Sequence, residues 1–167
     1  MNKITAINFH LWKSCNFKCK YCFATYDDSK VLYKAKKNLS KTEMFRIIEL
    51  IAEDGIEKIS FAGGEPFLCK WLDELIIHAK NLGLKTMIVT NGYYIKEKWL
   101  KKVQNHLDWL TISIDSIIKE SQIKIGRVMN KNVLSENDYL DRIALLKKYG
   151  IKYKMNTVVN AINLKKT

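Results

Sequence analysis

Trp71-Leu-Asp-Glu-Leu-Ile-Ile-His-Ala-Lys-Asn-Leu-Gly83-Leu-Lys-Thr-Met-Ile-Val-Thr90 changes its hydrophobic period part-way along. Trp71, Leu72, Leu75, Ile76 and Ala79 recur at helical spacing, Gly83 closes the helix, and Thr86 to Thr90 is a short β-branched run. The same unit recurs on both sides. Ser40 and Glu43 form a capping-box signature, Met44, Ile47, Ile48 and Ile51 give a core stripe, and Gly55 precedes the strand-like Ile59 to Phe61. Ser135 can cap a helix whose buried side is Leu140, Ile143, Ala144 and Leu146, and Gly150 leads into Tyr153 to Val159. Two more strands fit Ile4 to Trp12 and Leu110 to Ile114, and a lysine-studded helix with Trp99, Leu100 and Val103 inside fits Ile95 to Leu107. Ile117 to Val133 has no clear period and reads as an ordered, functional loop. Strands alternating with helices imply βαβ units and a parallel five-stranded sheet, with the loops after the strand ends on one rim. Pro66, the single proline, falls on that rim.

A chain of 167 residues, 47% apolar and 28% charged, is ordinary for one packed domain over residues 1–167. No apolar run approaches the roughly 20 residues of a membrane span. The N-terminus lacks the apolar core and cleavage pattern of a signal peptide, so the expected location is cytoplasmic. The formal charge is +12, but 26 of the 29 basic residues are lysine, and only Arg46, Arg127 and Arg142 are arginine. Duplex-reading surfaces favour the planar arginine fork, so no nucleic-acid partner is expected. Solubility and a mild pull on anions explain the lysines unless some of them stand at a site.

Three of the four cysteines crowd into Cys15-Asn-Phe-Lys-Cys19-Lys-Tyr-Cys22, directly after the first strand. A disulfide framework needs more cysteines, spread more widely, in an oxidising compartment. One tight loop can instead present three thiolates to a four-iron cluster and leave one iron open to a small molecule. Lys13, Lys18 and Lys20 are expected to favour the thiolate forms. The alternative is a zinc site with His10 as fourth ligand. After the second strand comes Phe61-Ala-Gly63-Gly64-Glu65-Pro66-Phe67, whose glycines allow a tight turn and close backbone approach. A carboxylate there can accept from a ligand ammonium; taken alone, the motif is also an ordinary turn. Cys69 reads as a small core hydrophobe, Trp71, Trp99 and Trp109 as members of core stripes, and His78 and His106 as incidental.

With Cys-x3-Cys-x2-Cys after strand one, Tyr21 before the last cysteine and Gly-Gly-Glu-Pro after strand two, the chain resembles the radical S-adenosylmethionine superfamily. Within it, the closest similarity is to viperin and the prokaryotic viperin-like enzymes. That narrower resemblance rests on Asn8-Phe-His10, Lys58 to Leu68, Thr90-Asn-Gly92, Asp115-Ser116, Ile125-Gly-Arg127 and Lys154 to Asn160. It implies a partial (β/α) TIM-like barrel with a 4Fe–4S cluster on Cys15, Cys19 and Cys22, and S-adenosylmethionine on the open iron. Reductive cleavage of the sulfonium would give a 5′-deoxyadenosyl radical. Gly63, Gly64 and Glu65 would meet the methionine ammonium, Asn91 and Ser113 the methionine or ribose, Arg127 the carboxylate, and Tyr21 and Val158 the adenine. Without the resemblance, Arg127 could as well be a surface arginine.

The implied substrate is CTP, or UTP or GTP, converted to its 3′-deoxy-3′,4′-didehydro form in antiviral defence. The electron would come from a donor such as flavodoxin or ferredoxin. Asn8, Lys58, Lys154 and Asn156 would contact the nucleotide. Lys154, Asn156 and Val158 share one face of the fifth strand, an inward face where an unpaired lysine would be costly. An edge-strand lysine reaching solvent is the alternative for Lys154. Ala62 stands where the family usually has serine, and Ala24 where many members have histidine. The chain ends soon after strand five, where the family continues to a sixth strand and a C-terminal extension. The expectation is therefore a truncated core with an exposed sheet edge and weak or no turnover, and without the amphipathic membrane helix of the vertebrate proteins. Two other readings remain open: a radical enzyme modifying peptide or RNA, and a cluster-free interaction fragment.

Overall fold

A computed structural model describes residues 4–24 and 39–164. Five parallel strands follow one another across a single sheet in sequence order: β1 (Ala6–Trp12), β2 (Lys58–Gly63), β3 (Lys85–Thr90), β4 (Trp109–Ser113) and β5 (Lys152–Asn156). Helices α1 (Lys41–Glu53), α2 (Leu72–Asn81), α3 (Glu97–Val103), α4 (Lys119–Ile125) and α5 (Glu136–Lys148) lie in the connections, with a 3₁₀ turn at Pro66–Leu68. The expected α/β fold with a parallel sheet is present, as an open sheet with β1 and β5 at its edges.

Local chemistry sets the helix ends. Ser40 Oγ accepts from the Glu43 N–H while the Glu43 carboxylate accepts from the Ser40 N–H, completing the expected box, and Ser135 with Asp138 repeats it at α5. Lys80 near the end of α2 pairs with Asp108 at 2.6 Å, and Asp108 also accepts from the Thr86 N–H. This fastens α2 to the starts of β3 and β4.

Strand alternation gives the sheet two unlike faces. Ile59, Phe61, Ile88, Leu110 and Ile112 are fully buried on the helix-covered face, against Met44, Ile48, Leu75, Ile76, Leu100 and Leu146. The opposite face carries His10, Ala62, Val89, Ser113 and Asn156 at its upper end, and all five line one cavity. No described helix is long and apolar enough to cross a membrane.

Four expectations need correction. Ile117 to Val133 is not all loop, since it contains α4, whose buried residues are Ser121, Gln122 and Ile125. In α5 the inward residue is Tyr139, whereas Leu140 is exposed. Trp109 does not join the core; it is 39% exposed, one residue out of phase with the buried Leu110. Strand β5 stops at Asn156, and the open edge leaves Lys154 exposed, so the burial cost expected for it does not apply.

Candidate active site

Four backbone hydrogen bonds, in two pairs, hold the cysteine loop. At its start, the Gly64 N–H donates to Trp12 O at 2.6 Å and the Glu65 N–H to Ser14 O at 2.9 Å. A Cβ on Gly64 would lie 2.3 Å from Ser14 O, and one on Gly63 would lie 2.5 Å from Trp12 O. The glycine pair therefore lets the cysteine loop itself come close, beyond the turn its sequence announced. Further along, Lys18 N–H donates to Gly126 O and Lys20 N–H to Ile125 O, docking the loop onto the end of α4. Gly126 closes α4 with φ +84°, and a Cβ there would meet Lys18 O at 2.1 Å.

Cys15, Cys19 and Cys22 line one cavity of about 250 Å³ with Tyr21, Gly63, Gly64, Asn91, Ser113, Arg127, Asn156 and Val158. Eleven of the fifteen residues expected at the site meet there. Asn8, Lys58 and Lys154 do not line it, though by strand phase all three belong to the sheet face of its lining residues: Asn8 pairs in register with Ser60, and Lys154 with Thr111. Glu65 does not line it either. Its side chain is 1% exposed and accepts from Thr90 Oγ1 at 2.7 Å, the Asn91 N–H at 2.9 Å and the Phe67 N–H at 3.1 Å. Burial nevertheless raises its pKa to about 6. The carboxylate lies behind the cavity wall, where these three donors fix its orientation.

Burial also raises the thiol pKa of Cys15 and Cys19. At Cys19 the Arg127 guanidinium and the Tyr21 hydroxyl oppose this. The Phe17 N–H points at Cys15 Sγ at 3.4 Å, and Asn91 Nδ2 approaches the same sulfur at 3.9 Å while donating to Asn16 Oδ1 at 2.7 Å. Among the described residues, no three His, Cys, Asp or Glu side chains converge as one metal ion requires. The zinc alternative with His10 needs such a convergence on a single tetrahedral centre. A polynuclear iron–sulfur group takes each thiolate on a different iron, and three thiols lining one cavity fit that donor set.

Asp115 is the residue for which the sequence supplied no role. Its side chain is 2% exposed. Oδ2 accepts from Arg127 Nη1 at 2.8 Å and from the Tyr21 hydroxyl, and Oδ1 accepts from the Val158 N–H at 2.7 Å. Arg127, 3% exposed, also donates through Nη2 to Ser113 O at 2.5 Å, lies over the Phe17 ring and interacts with Tyr139, although its Nε and the Tyr139 hydroxyl fall outside good hydrogen-bond geometry. The guanidinium is therefore a buried wall element held from below, and the surface reading of Arg127 is excluded. Burial, together with hydrogen bonding to Asp115, raises the Tyr21 pKa.

Residues 10–165 match the sequence profile of the Radical SAM superfamily. The chain is 49% identical over 166 residues to an S-adenosylmethionine-dependent nucleotide dehydratase of Lacinutrix mariniflava, covering 99% of this chain and 35% of the relative. It is 44% identical to a protein of the same name from Flammeovirga pacifica, covering 98% of this chain and 56% of that one. The chain thus spans between about a third and just over half the length of these curated relatives. In fold it is similar to Streptococcus suis SuiB bound to S-adenosylmethionine, with TM-score 0.73 and 20% identity over 94% of this chain and 34% of that one.

Proposed function

Because this chain belongs to the radical S-adenosylmethionine superfamily, we propose that it is the catalytic core of a nucleotide dehydratase acting on a nucleoside triphosphate. The observation that supports the reading is a shared strand phase: Ala62, Ser113 and Asn156, which line the cavity bearing the three thiols, belong to the same sheet face as Asn8, Lys58 and Lys154.

Cys15, Cys19 and Cys22 would each ligate one iron of a 4Fe–4S cluster. When bound, the cluster and S-adenosylmethionine supply the reductive sulfonium cleavage and the adenosyl radical. The chain's own residues bind, orient and exclude water. Arg127, fixed by Asp115 and Ser113, presents its remaining donor capacity to the methionine carboxylate. Gly63 and Gly64 bring backbone close to the methionine, with Glu65 stiffening the turn from behind. Asn91 and Ser113 face the methionine or ribose, and Tyr21 and Val158 flank the adenine. Asn8, Lys58, Lys154 and Asn156 hold the nucleotide so that its ribose faces the cavity mouth. A 3′-deoxy-3′,4′-didehydro product lacks the hydroxyl on which a polymerase extends a strand, which fits a role in antiviral defence. Flavodoxin or ferredoxin is the proposed kind of electron donor.

Anaerobic reconstitution tests the reading first. About four iron and four sulfide per chain are expected, with both lost in Cys19→Ala. After reduction, CTP, UTP and GTP are supplied in turn and products analysed. A loaded protein that cleaves S-adenosylmethionine with no dependence on any nucleotide, unaltered by alanine at Lys58, Lys154 and Asn156, overturns the nucleotide assignment.

A further inference from the structure

We propose that the outer side of the cysteine loop, with the end of α4 and the hairpin after it, is the docking face for an acidic one-electron carrier protein. Lys18, Lys20, Lys124 and Lys131 are its cationic contacts. The inference rests on the iron–sulfur reading above and gives the electron donor a place on this chain.

Alternation along the loop separates its two sides. Phe17, Cys19 and Tyr21 line the thiol cavity, whereas Lys18 and Lys20 do not and are exposed. Their backbone N–H groups donate to Gly126 O at 3.1 Å and Ile125 O at 3.0 Å, so both stand beside the end of α4, where Lys124 is also exposed. Further on, Met129 and Asn132 exchange both backbone bonds, at 3.0 and 2.8 Å, around a two-residue turn. Asn130 and Lys131 there have φ +49° and +68°, as a type I′ hairpin turn requires. The turn holds the exposed Lys131 at its tip, in a conformation that lysine rarely adopts. The base of the hairpin rests on the cysteine loop, with Met129 Sδ 3.8 Å from Asn16 Nδ2 and 3.4 Å from the Tyr94 hydroxyl.

Charge is unevenly matched there. Residues 13–24 and 117–135 carry six exposed lysines against one exposed carboxylate, Glu120. Lysines elsewhere have acidic partners, as Lys41 has Glu74, Lys80 has Asp108, Lys102 has Asp73 and Lys148 has Glu97. Lys18, Lys20, Lys124 and Lys131 make no ion pair with a described residue. Such a face acts collectively, steering an acidic protein surface onto it and speeding the encounter. On and just before α4, Ile117 and Ile123 are 47% and 46% exposed and add a small apolar contact. Redox encounters use interfaces at the small end of the specific range.

Position selects the kind of partner. The cavity side of the thiols must take S-adenosylmethionine and the substrate, which leaves the loop side for electron entry. Electron transfer falls off steeply with distance, and Lys18 and Lys20 are each one residue from Cys19. Phe17, 3% exposed between Cys15 and Cys19, meets Tyr93 edge-to-face at 5.9 Å, and Tyr93 meets Tyr94 at 5.3 Å beside the hairpin. Close-packed side chains thus join the hairpin to the thiol loop. The arginine of these segments, Arg127, is buried, so the face offers lysine alone and lacks the planar forks that nucleic-acid surfaces favour.

The test mixes reconstituted protein anaerobically with reduced flavodoxin and, separately, with a reduced plant-type ferredoxin. Loss of the cluster's visible absorbance gives the second-order rate constant. Reduced methyl viologen, a small cation that needs no docking face, is the reference. One variant combines Lys18→Glu, Lys124→Glu and Lys131→Asp, aspartate being tolerated at the hairpin's positive φ. It should accept electrons from either protein about tenfold more slowly, with the viologen rate within about twofold of wild type. The difference should vanish near 1 M salt, where the Debye length is about 3 Å. Lys124→Glu with Lys131→Asp leaves the cysteine loop untouched and should show about a threefold loss at full iron content. Wild-type rates with both proteins in that pair variant overturn the docking face while leaving the cluster reading standing. So does an equal loss in a control carrying Lys85→Glu, Lys101→Glu and Lys147→Glu, which lie at the start of β3 and in the last turns of α3 and α5. An equal loss in the viologen rate overturns it as well, since the effect then lies in the cluster. Tighter binding of polyuridylic acid than of oxidised flavodoxin to the same lysines makes the face a nucleic-acid site and also overturns it. A protein that takes up no iron overturns both readings.

Discussion

Arg127 Nη1 donates to Asp115 Oδ2 at 2.8 Å in a pair whose side chains are 4% and 2% exposed. Around that bond the same carboxylate takes the Tyr21 hydroxyl from the cysteine loop and the Val158 N–H beyond β5. Three segments far apart in sequence thus meet on one group. Removing it strands a guanidinium in the interior, and such a loss costs about 3–5 kcal/mol. Asp115→Ala should lower the denaturant midpoint accordingly with little change in slope. Asp115→Asn keeps two of the acceptor contacts but not the charge, and should fall in between. Midpoints equal to wild type in both variants would show that the hub carries no stability.

Glu65 makes a pH-dependent contribution whose sign follows from its raised pKa. Folded, it titrates at about 6 against an ordinary 4.5, because burial penalises the carboxylate more than its three donors favour it. The folded state therefore holds this proton more tightly than the unfolded chain does. Its contribution to stability is complete below about pH 4.5 and is lost as pH rises through about 6, amounting to roughly 2 kcal/mol. Urea unfolding of wild type and Glu65→Gln between pH 4 and 7 isolates the effect, since other groups cancel in the difference. A flat difference across that range contradicts the assignment.

Both capping boxes should be worth a measurable amount, and nearly the same amount. Ser40→Ala leaves the Glu43 N–H without its acceptor, and Ser135→Ala does the same to the Asp138 N–H. Each should cost about 1 kcal/mol in chemical denaturation, and the double variant about the sum, because the two sites share no partner. A double variant much worse than the sum would mean that α1 and α5 are coupled through the sheet.

The strands and most helices were legible because their signals are local. Gly55, Gly83 and Gly150 each mark a helix end, and Ser40 and Ser135 each mark a start. Helix α4 escaped because two of its three buried residues, Ser121 and Gln122, are polar and leave no apolar period to count. Trp109 was misplaced because aromatic residues in strands usually pack inward, and only the phase of Leu110 and Ile112 shows that it faces the other way. The site was half legible. Clustered cysteines and paired glycines announce themselves, but Asp115 is a lone carboxylate whose partners stand at positions 21, 127 and 158. Glu65 was seen, yet its burial depends on Thr90 and Asn91, 25 and 26 residues further on. Non-local bonds of this kind leave no periodic trace.

Gly126 gives the sharpest test of how the cysteine loop is held. Its φ of +84° is a conformation that side chains adopt at a cost, and a Cβ would sit 2.1 Å from Lys18 O, a backbone atom that cannot rotate away. The two backbone bonds at that junction, Lys18 to Gly126 and Lys20 to Ile125, fix the loop between Cys15 and Cys22. Gly126→Ala must therefore push the loop off α4 or distort the end of the helix. The expected outcome is a stability loss of about 1–3 kcal/mol together with lower iron uptake on reconstitution. Gly150 provides the control, because it also has positive φ, +65°, but a Cβ there meets nothing within 4 Å. Gly150→Ala should show the backbone cost alone with iron uptake intact. If Gly126→Ala takes up iron as fully as Gly150→Ala does, the docking of the loop on α4 does not set the spacing of the thiols.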